Sequence, residues 1–234
     1  MTIELKVLSG GAAQGLLEAL APRFAAETGY AIGGSFGAVG VMRDKLLAGE
    51  PADLVILTAA MVAALARQGQ VEAASTCELG TVRTAVAVRA PDPVPAIDTV
   101  DRLRTALIAA DAIFFPDPQQ ATAGIHFAKV LRALGITGEA LAAKAHSHPN
   151  GATAMRALAA WPGGRAIGCT QATEIRNTPG LRLVGPLPAP FELATVYTAG
   201  VTHRAAAAAE ARALIALITA SQDLRSEAGF ERSS

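Results

Sequence analysis

The stretch SFGAVGVMRDKLLAGEPADLVIL, residues 35–57, decides the fold. Its spacing predicts a strand end, a glycine-bearing turn, a helix, a short loop and a second strand, which is half of a doubly wound α/β unit. Within the helix Val39, Met42 and Leu46 fall at i, i+3 and i+7, so one face is apolar while Arg43, Asp44 and Lys45 lie largely off it. Gly49 stops the helix. After Pro51 and Asp53, the run Leu54, Val55, Ile56, Leu57 is continuously apolar, as expected of a strand covered by helices on both faces. Gly37 and Gly40 leave the backbone unshielded at the helix start, where free N–H groups and the positive dipole end suit an anion. The same glycines also serve simply to turn the chain.

A second turn of this kind lies upstream. Residues 3–8 read as the first strand, and Ser9, Gly10, Gly11, Ala12, Ala13 and Gln14 turn into a helix carrying Leu17, Leu20 and Phe24 on one face, closed by Gly29. In open α/β sheets, ligands bind at the carboxyl edge of the strands, where two such turns converge. The pattern is no dinucleotide fingerprint: Gly-Gly-Ala-Ala-Gln-Gly lacks the required glycine spacing, and Asp53 closes a turn instead of ending a second strand.

The rest of the chain continues the alternation. A short alanine-rich helix is expected over residues 61–68 and a strand over 81–88, with Arg83 near its start. After Pro91, Pro93 and Pro95 a helix restarts over 100–107. A strand at 112–115 leads through Asp117 and Ala123-Gly124 into a helix with Ile125, Val130, Leu131 and Leu134. A turn from His146 to Gly151 precedes a helix with Ala154, Met155 and Leu158 on one face, for which Asn150 is the N-cap candidate. Strands follow over 165–170, ending at Gln171, and over 193–201, and a helix over 205–220 buries Leu214, Leu217 and Ile218.

Composition bounds the partners. The 234 residues are 51% hydrophobic and 17% charged, which describes a folded chain able to bury a sizeable core. Twenty basic and twenty acidic residues give a formal net charge of zero. With no basic block interleaved with aromatics, nucleic acid and anionic membrane surfaces are not expected partners. No stretch is long and apolar enough for membrane insertion. The opening residues enter a strand without a basic or apolar leader, so the chain as written reads as cytoplasmic, and as periplasmic if a signal peptide preceded Met1. Cys77 and Cys169 lack metal-ligand spacing and read as two buried thiols, with a disulfide left open. No metal or cofactor is expected.

The order of these turns resembles the molybdate-binding branch of the type II periplasmic solute-binding proteins. The motifs are Ala48-Gly49-Glu50-Pro51-Ala52-Asp53-Leu54 after Ser35-Phe36, Asp117-Pro118 with Ala123-Gly124-Ile125 and Ala128-Lys129, Ile167-Gly168, and Gly229-Phe230. The resemblance implies a two-lobed α/β fold, residues 1–82 plus 195–234 forming one lobe and 83–194 the other, with the ligand cleft between lobes. It implies a small anionic ligand and, as partner, the membrane component of an ABC transporter. Carried over by position, the family's first-turn serine falls on Gly11, with Ser9 two residues earlier. Its second serine run falls on Ala38, Val39 and Gly40, its backbone contacts on Ala123 and near Gly151 or Ala152, and its tyrosine on Gln171. Helix amino ends survive while hydroxyl donors are mostly absent, and a tetrahedral dianion without a counterion needs a full shell of donors.

The expected ligand-binding set is therefore Ser9, Gly10, Gly11, Gly37, Ala38, Val39, Arg83, Ala123, Gly124, Asn150, Gly151, Ala152 and Gln171. Arg83 offers a bidentate carboxylate clamp, or is a surface arginine on an edge strand. Two function classes remain. One is a solute-binding protein for an oxyanion or carboxylate. The other is an enzyme of the same fold acting on a small polycarboxylate, like aconitate isomerase among the family's relatives, with His148 as the proton-transferring residue. Asp53 and Asp117 read as turn residues, His126 as packing or surface, and Thr122 and Thr170 as alternative hydroxyl donors.

Overall fold

Strands and helices alternate along almost the whole chain, and in the computed structural model, which describes residues 3–232, they sort into two α/β units. Met1 and Thr2, read above as the entry to the first strand, lie outside the described residues. The first unit takes the chain up to Val82 and from Thr195 onward, and the second takes Arg83–Ala194.

The first unit contains β1 (Ile3–Gly10), α1 (Gln14–Thr28), β2 (Tyr30–Gly37), α2 (Val39–Leu47), β3 (Leu54–Thr58), α3 (Ala59–Arg67) and the opening of β4 (Cys77–Arg89). In the second lie α4 (Val100–Ala109), β5 (Ala112–Pro116), α5 (Thr122–Ala133), α6 (Gly138–Ala142), β6 (Ala145–His148), α7 (Gly151–Ala159), β7 (Ala166–Gln171), α8 (Ala172–Arg176) and β8 (Leu181–Pro186). The chain then returns through β9 (Ala194–Val201) to α9 (Ala208–Ala220) and α10 (Gln222–Ala228) of the first unit.

In the first unit the strands run β2-β1-β3-β9, with β1 parallel to both β2 and β3 and β9 antiparallel to β3. Leu54, Val55, Ile56 and Leu57 are fully buried, as the apolar run requires of a strand covered on both faces. Val39, Met42 and Leu46 are the buried stripe of α2, and Leu17, Leu20 and Phe24 that of α1. Gly29 ends α1 in the left-handed conformation at φ 77°. Gly34, at φ 124°, lies so close to β1 that a Cβ there would stand 2.0 Å from the Val7 carbonyl oxygen.

The second unit repeats the logic. β5 pairs in parallel with β6 and β7, while β4 runs antiparallel to β7 and β8. One face of this sheet carries Val86, Ile113, Phe115, Ile167 and Cys169 against α4 and α5. The other carries Ala85, Phe114 and Ala166 against Ala154, Met155 and Leu158 of α7. Burying a Met or Leu side chain of this kind contributes about 1.5–3 kcal/mol.

Three local expectations change. The stretch from His146 to His148 is a strand and not a turn: it pairs with β5 at Phe114 and Pro116, and the rings of both histidines stack on Phe114. Cross-strand packing overrides the weak strand propensity of Ala-His-Ser-His. Ile125 is exposed, and Phe127 takes its place in the core with Val130, Leu131 and Leu134. Cys169 is buried and Cys77 is half-buried, and both thiols are free.

Candidate functional site

In the first unit, β1 and β2 bring the two glycine turns together. Gly10 is the ladder partner of Gly37, and Ser9 that of Phe36. A Cβ on Gly10 would lie 2.8 Å from Val39 Cγ1 and 3.1 Å from Tyr197 Cε1, so the turn is closed around a residue without a side chain. Ser9 is fully buried and its hydroxyl donates to the Gly10 carbonyl oxygen at 2.9 Å, so its proton is committed within the turn. Ala38 is the N-cap of α2 in extended conformation, and no side chain caps this helix. Ala38 and Val39 are buried, so the start of α2 offers backbone N–H groups and no side-chain donor.

Asp53 does more than turn the chain. Its buried carboxylate accepts the Lys6 N–H at 2.8 Å through one oxygen and the N–H groups of Ala206 and Ala207 at 2.8 and 3.0 Å through the other. Asp117, by contrast, holds the turn after β5 by accepting from Gln119 and Gln120.

In the second unit Gly151, Ala152, Thr170 and Gln171 meet around a residue that the sequence reading missed, Glu174. Its carboxylate accepts from the Thr170 hydroxyl and from the backbone N–H groups of Gln171 and Ala152. A Cβ on Gly151 would lie 1.9 Å from Glu174 Oε2 and 2.2 Å from Thr170 Oγ1, so α7 begins with glycine because the carboxylate sits directly against it. Burial pushes the Glu174 carboxyl above the ordinary carboxylate value, against the lowering effect of these three hydrogen bonds. A signal was present: Gln171 is the N-cap of α8 and Glu174 stands three residues on, the spacing at which a glutamate reaches back to the N-cap N–H. Asn150 caps α7, its Oδ1 accepting from the Thr153 N–H at 2.9 Å.

On the other face of this sheet lies a different kind of polar pair. Thr84 and Gln171 are ladder partners on β4 and β7, and strand alternation puts them on the side of Val86 and Cys169, the α5 side. Both are buried, yet the Thr84 hydroxyl and both atoms of the Gln171 amide have no hydrogen-bond partner among the described residues. Helix α5 starts on this side at Ala121 without a side-chain cap, followed by Ala123 and by Gly124, which packs against the carbonyls of Pro116 and Asp117.

Arg83 is partly exposed and stands 3.9 Å from Glu192. His126 Nε2 is 2.8 Å from the Phe191 carbonyl oxygen, a packing role. His148 stacks on Phe114 at 6.0 Å between ring centroids. Burial, then the neighbouring His146, hold it below the usual imidazole value. A cavity of about 500 Å³ in the same unit is lined by Val88, Pro93, Arg102, Ala106, Arg165 and Ile167 among others, and none of the candidate residues borders it. Among the described residues no cluster of three potential metal ligands occurs, and no helix is long and apolar enough to cross a membrane.

Residues 5–231 match the family model described as bacterial extracellular solute-binding protein. The chain belongs to that family. Among solved structures of similar fold, the periplasmic molybdate-binding protein of Azotobacter vinelandii aligns at a TM-score of 0.79 with 22% identity, covering 98% of this chain and all of that one. The sulfate-binding protein of Mycobacterium tuberculosis aligns at 0.73 with 18% identity, covering 99% and 88%. At such identities these likenesses carry the two-lobed solute-binding fold alone. A curated relative named aconitate isomerase, from Pseudomonas sp., is 28% identical over 221 residues, 90% of this chain and 80% of its own.

Proposed function

We propose that this solute-binding family member holds a small anion, and that the anion is a carboxylic acid in preference to a tetrahedral oxyanion. The observation that carries the reading is the pair Thr84 and Gln171, buried without internal partners among the described residues on the sheet face that α5 covers. Buried polar groups in native proteins are nearly always satisfied, so a ligand group or ordered water belongs there. A tetrahedral dianion is disfavoured because the side-chain donors it needs are missing: Ser9 donates within its own turn, and Ala38 and Val39 have none. Arg83 would clamp a carboxylate, in competition with Glu192. The proposed partner, if the anion is cargo, is the membrane component of an ABC transporter.

The test is titration calorimetry with sulfate and molybdate against di- and tricarboxylates. A carboxylate should bind at least tenfold tighter than either oxyanion, and the reverse order would refute the reading. Because Arg83 is partly exposed and already paired, Arg83→Ala should weaken carboxylate binding by about tenfold, roughly 1.4 kcal/mol, and not abolish it.

A second reading, isomerisation of a small polycarboxylate, is favoured by the aconitate isomerase relative. The reaction would remove a proton beside a carboxylate and return it elsewhere on the carbon skeleton. His148, whose imidazole is held below its usual value by burial and then by His146, is the proposed base. Proton NMR in deuterated water decides this: the protein should drive deuterium into a carbon next to a carboxylate of a bound acid, and His148→Ala should slow exchange by a hundredfold or more. Absence of exchange with every bound acid would leave binding as the whole function.

A further inference from the structure

Helix α4 and the proline-bearing segment 92–96 border the cavity of about 500 Å³ in the second unit, together with Val88 of β4 and Ile167 of β7. The volume falls within the range of about 300–1,000 Å³ usual for small-molecule sites. Along α4 the bordering residues are Asp101, Arg102, Thr105, Ala106 and Ala109, a helical spacing that turns one face of the helix to the cavity. The middle of that face is small. Ala106 and Ala109 leave room that larger side chains would fill, and Pro93, Val94 and Pro95 add apolar surface, with Val94 48% exposed.

These walls are held in place by the chain itself. The Arg89 guanidinium donates to both carboxylate oxygens of Asp92 at 2.7 and 2.9 Å, and to the carbonyl oxygens of Trp161 and Gly164 at 2.5 and 2.9 Å. The proline segment is thereby tied to the turn that leads into β7. Arg165, the next residue of that turn, is fixed through its backbone: its N–H donates to the Asp111 carboxylate at 2.9 Å and its carbonyl accepts the Asp111 N–H at 2.8 Å. A cavity whose walls are already positioned costs a ligand little ordering of the protein.

The charges on its border are matched with one exception. Asp92 is paired with Arg89, Arg102 with Asp98 at 2.7 Å, and Asp101 lies in the first turn of α4, where the helix dipole favours a negative charge. Arg165 is exposed and its guanidinium has no ion-pair partner among the described residues. We propose that this cavity is a second ligand site, for a monocarboxylic acid with an apolar chain, the chain lying against Ala106, Ala109 and Val94 and the carboxylate meeting Arg165. A guanidinium holds a carboxylate through two parallel hydrogen bonds, and the alanine and proline walls offer the chain an escape from water. The site shares no residue with the anion site proposed above and stands whether or not that reading holds.

The experiment titrates octanoate, with octanamide and octylamine as its neutral and cationic counterparts, into the wild-type protein, Ala109→Trp and Arg165→Ala by calorimetry. Octanoate should bind the wild type at least tenfold tighter than octanamide, and octylamine should bind most weakly. Ala109→Trp, which fills the cavity, should weaken octanoate at least tenfold, and Arg165→Ala should bring octanoate down to the level of octanamide. No binding of octanoate, equal binding of acid and amide by the wild type, or octanoate binding unchanged in a folded Ala109→Trp protein overturns the proposal. A repeat with citrate in excess separates the two sites: octanoate affinity should not change, and displacement by citrate would place octanoate at the anion site and overturn the proposal. Amide NMR of the wild type decides the matter should a variant not fold, since octanoate should shift the signals of Val94, Ala106 and Ala109, and shifts confined to other residues refute the site.

Discussion

The two units share a plan and finish it differently. Each has a central strand with a parallel neighbour on both sides, β1 between β2 and β3 and β5 between β6 and β7, and each adds an antiparallel strand, β9 or β4. The helix that follows the outer parallel strand is α2 in one unit and α7 in the other. Helix α2 begins at Ala38 with no side-chain cap. Helix α7 begins under the Asn150 cap and against the Glu174 carboxylate. The same topology thus gives one helix start without a side-chain cap and one held by an asparagine and a carboxylate, so equivalent positions of one plan are finished by different side chains.

The largest expected effects test whether each unit depends on a glycine for its own reason. Gly34→Ala places a Cβ 2.0 Å from a backbone oxygen at positive φ, where nothing flexible can yield, and should destabilise the protein by about 3 kcal/mol or more. Gly151→Ala meets a side chain instead, so its loss should be partly recovered in the double variant with Glu174→Ala. Chemical denaturation of the three proteins measures both, and a double variant no better than Gly151→Ala would break the assignment of the clash to Glu174.

Next in size is Asp53→Ala, which strands three backbone N–H groups and should lower stability by about 3 kcal/mol. A loss under 1 kcal/mol by denaturation would show that water replaces the carboxylate. The capping difference is smaller and runs in opposite directions. Ala38→Ser should stabilise by up to about 1 kcal/mol, and Asn150→Ala should destabilise by about the same amount.

The last expectation concerns Glu174 and is read as a trend with pH. Its carboxyl is raised, so the folded state holds this proton more tightly than the unfolded chain does. That contribution to stability is complete below the ordinary value of 4.5 and is lost as pH rises through the folded value. Glu174→Gln carries no titrating carboxyl there and loses this pH dependence. The melting temperature of the variant minus that of the wild type should therefore climb as pH rises from about 4.5, and a flat difference would mean that Glu174 is not perturbed.

Much of the fold was legible because periodicity and punctuation agreed. Over residues 35–57, apolar spacing, Gly49 and the strand run all pointed to one answer, and the structure places β2, α2 and β3 there. The edge strand β6 was not legible: Ala-His-Ser-His carries no strand pattern, and only pairing with β5 and stacking on Phe114 hold it extended. Ile125 went wrong by choice of face, since Phe127 fits the same helix with Val130, Leu131 and Leu134 turned inward. At the site, glycine turns marked the helix starts. Glu174 escaped notice because its importance comes from Ala152, over twenty positions away in the chain, while Gln171 and Glu174 alone read as an ordinary cap.

The division of the chain also sets an order of completion during synthesis. The second unit is one continuous stretch, Arg83–Ala194, and its strands and helices are all available once that stretch has left the ribosome. The first unit begins earlier but lacks β9, α9 and the backbone N–H groups of Ala206 and Ala207 that Asp53 accepts from until the final segment emerges. Since domains tend to fold as units during translation, the half that starts first finishes last, and until then β3 waits with an unpaired edge.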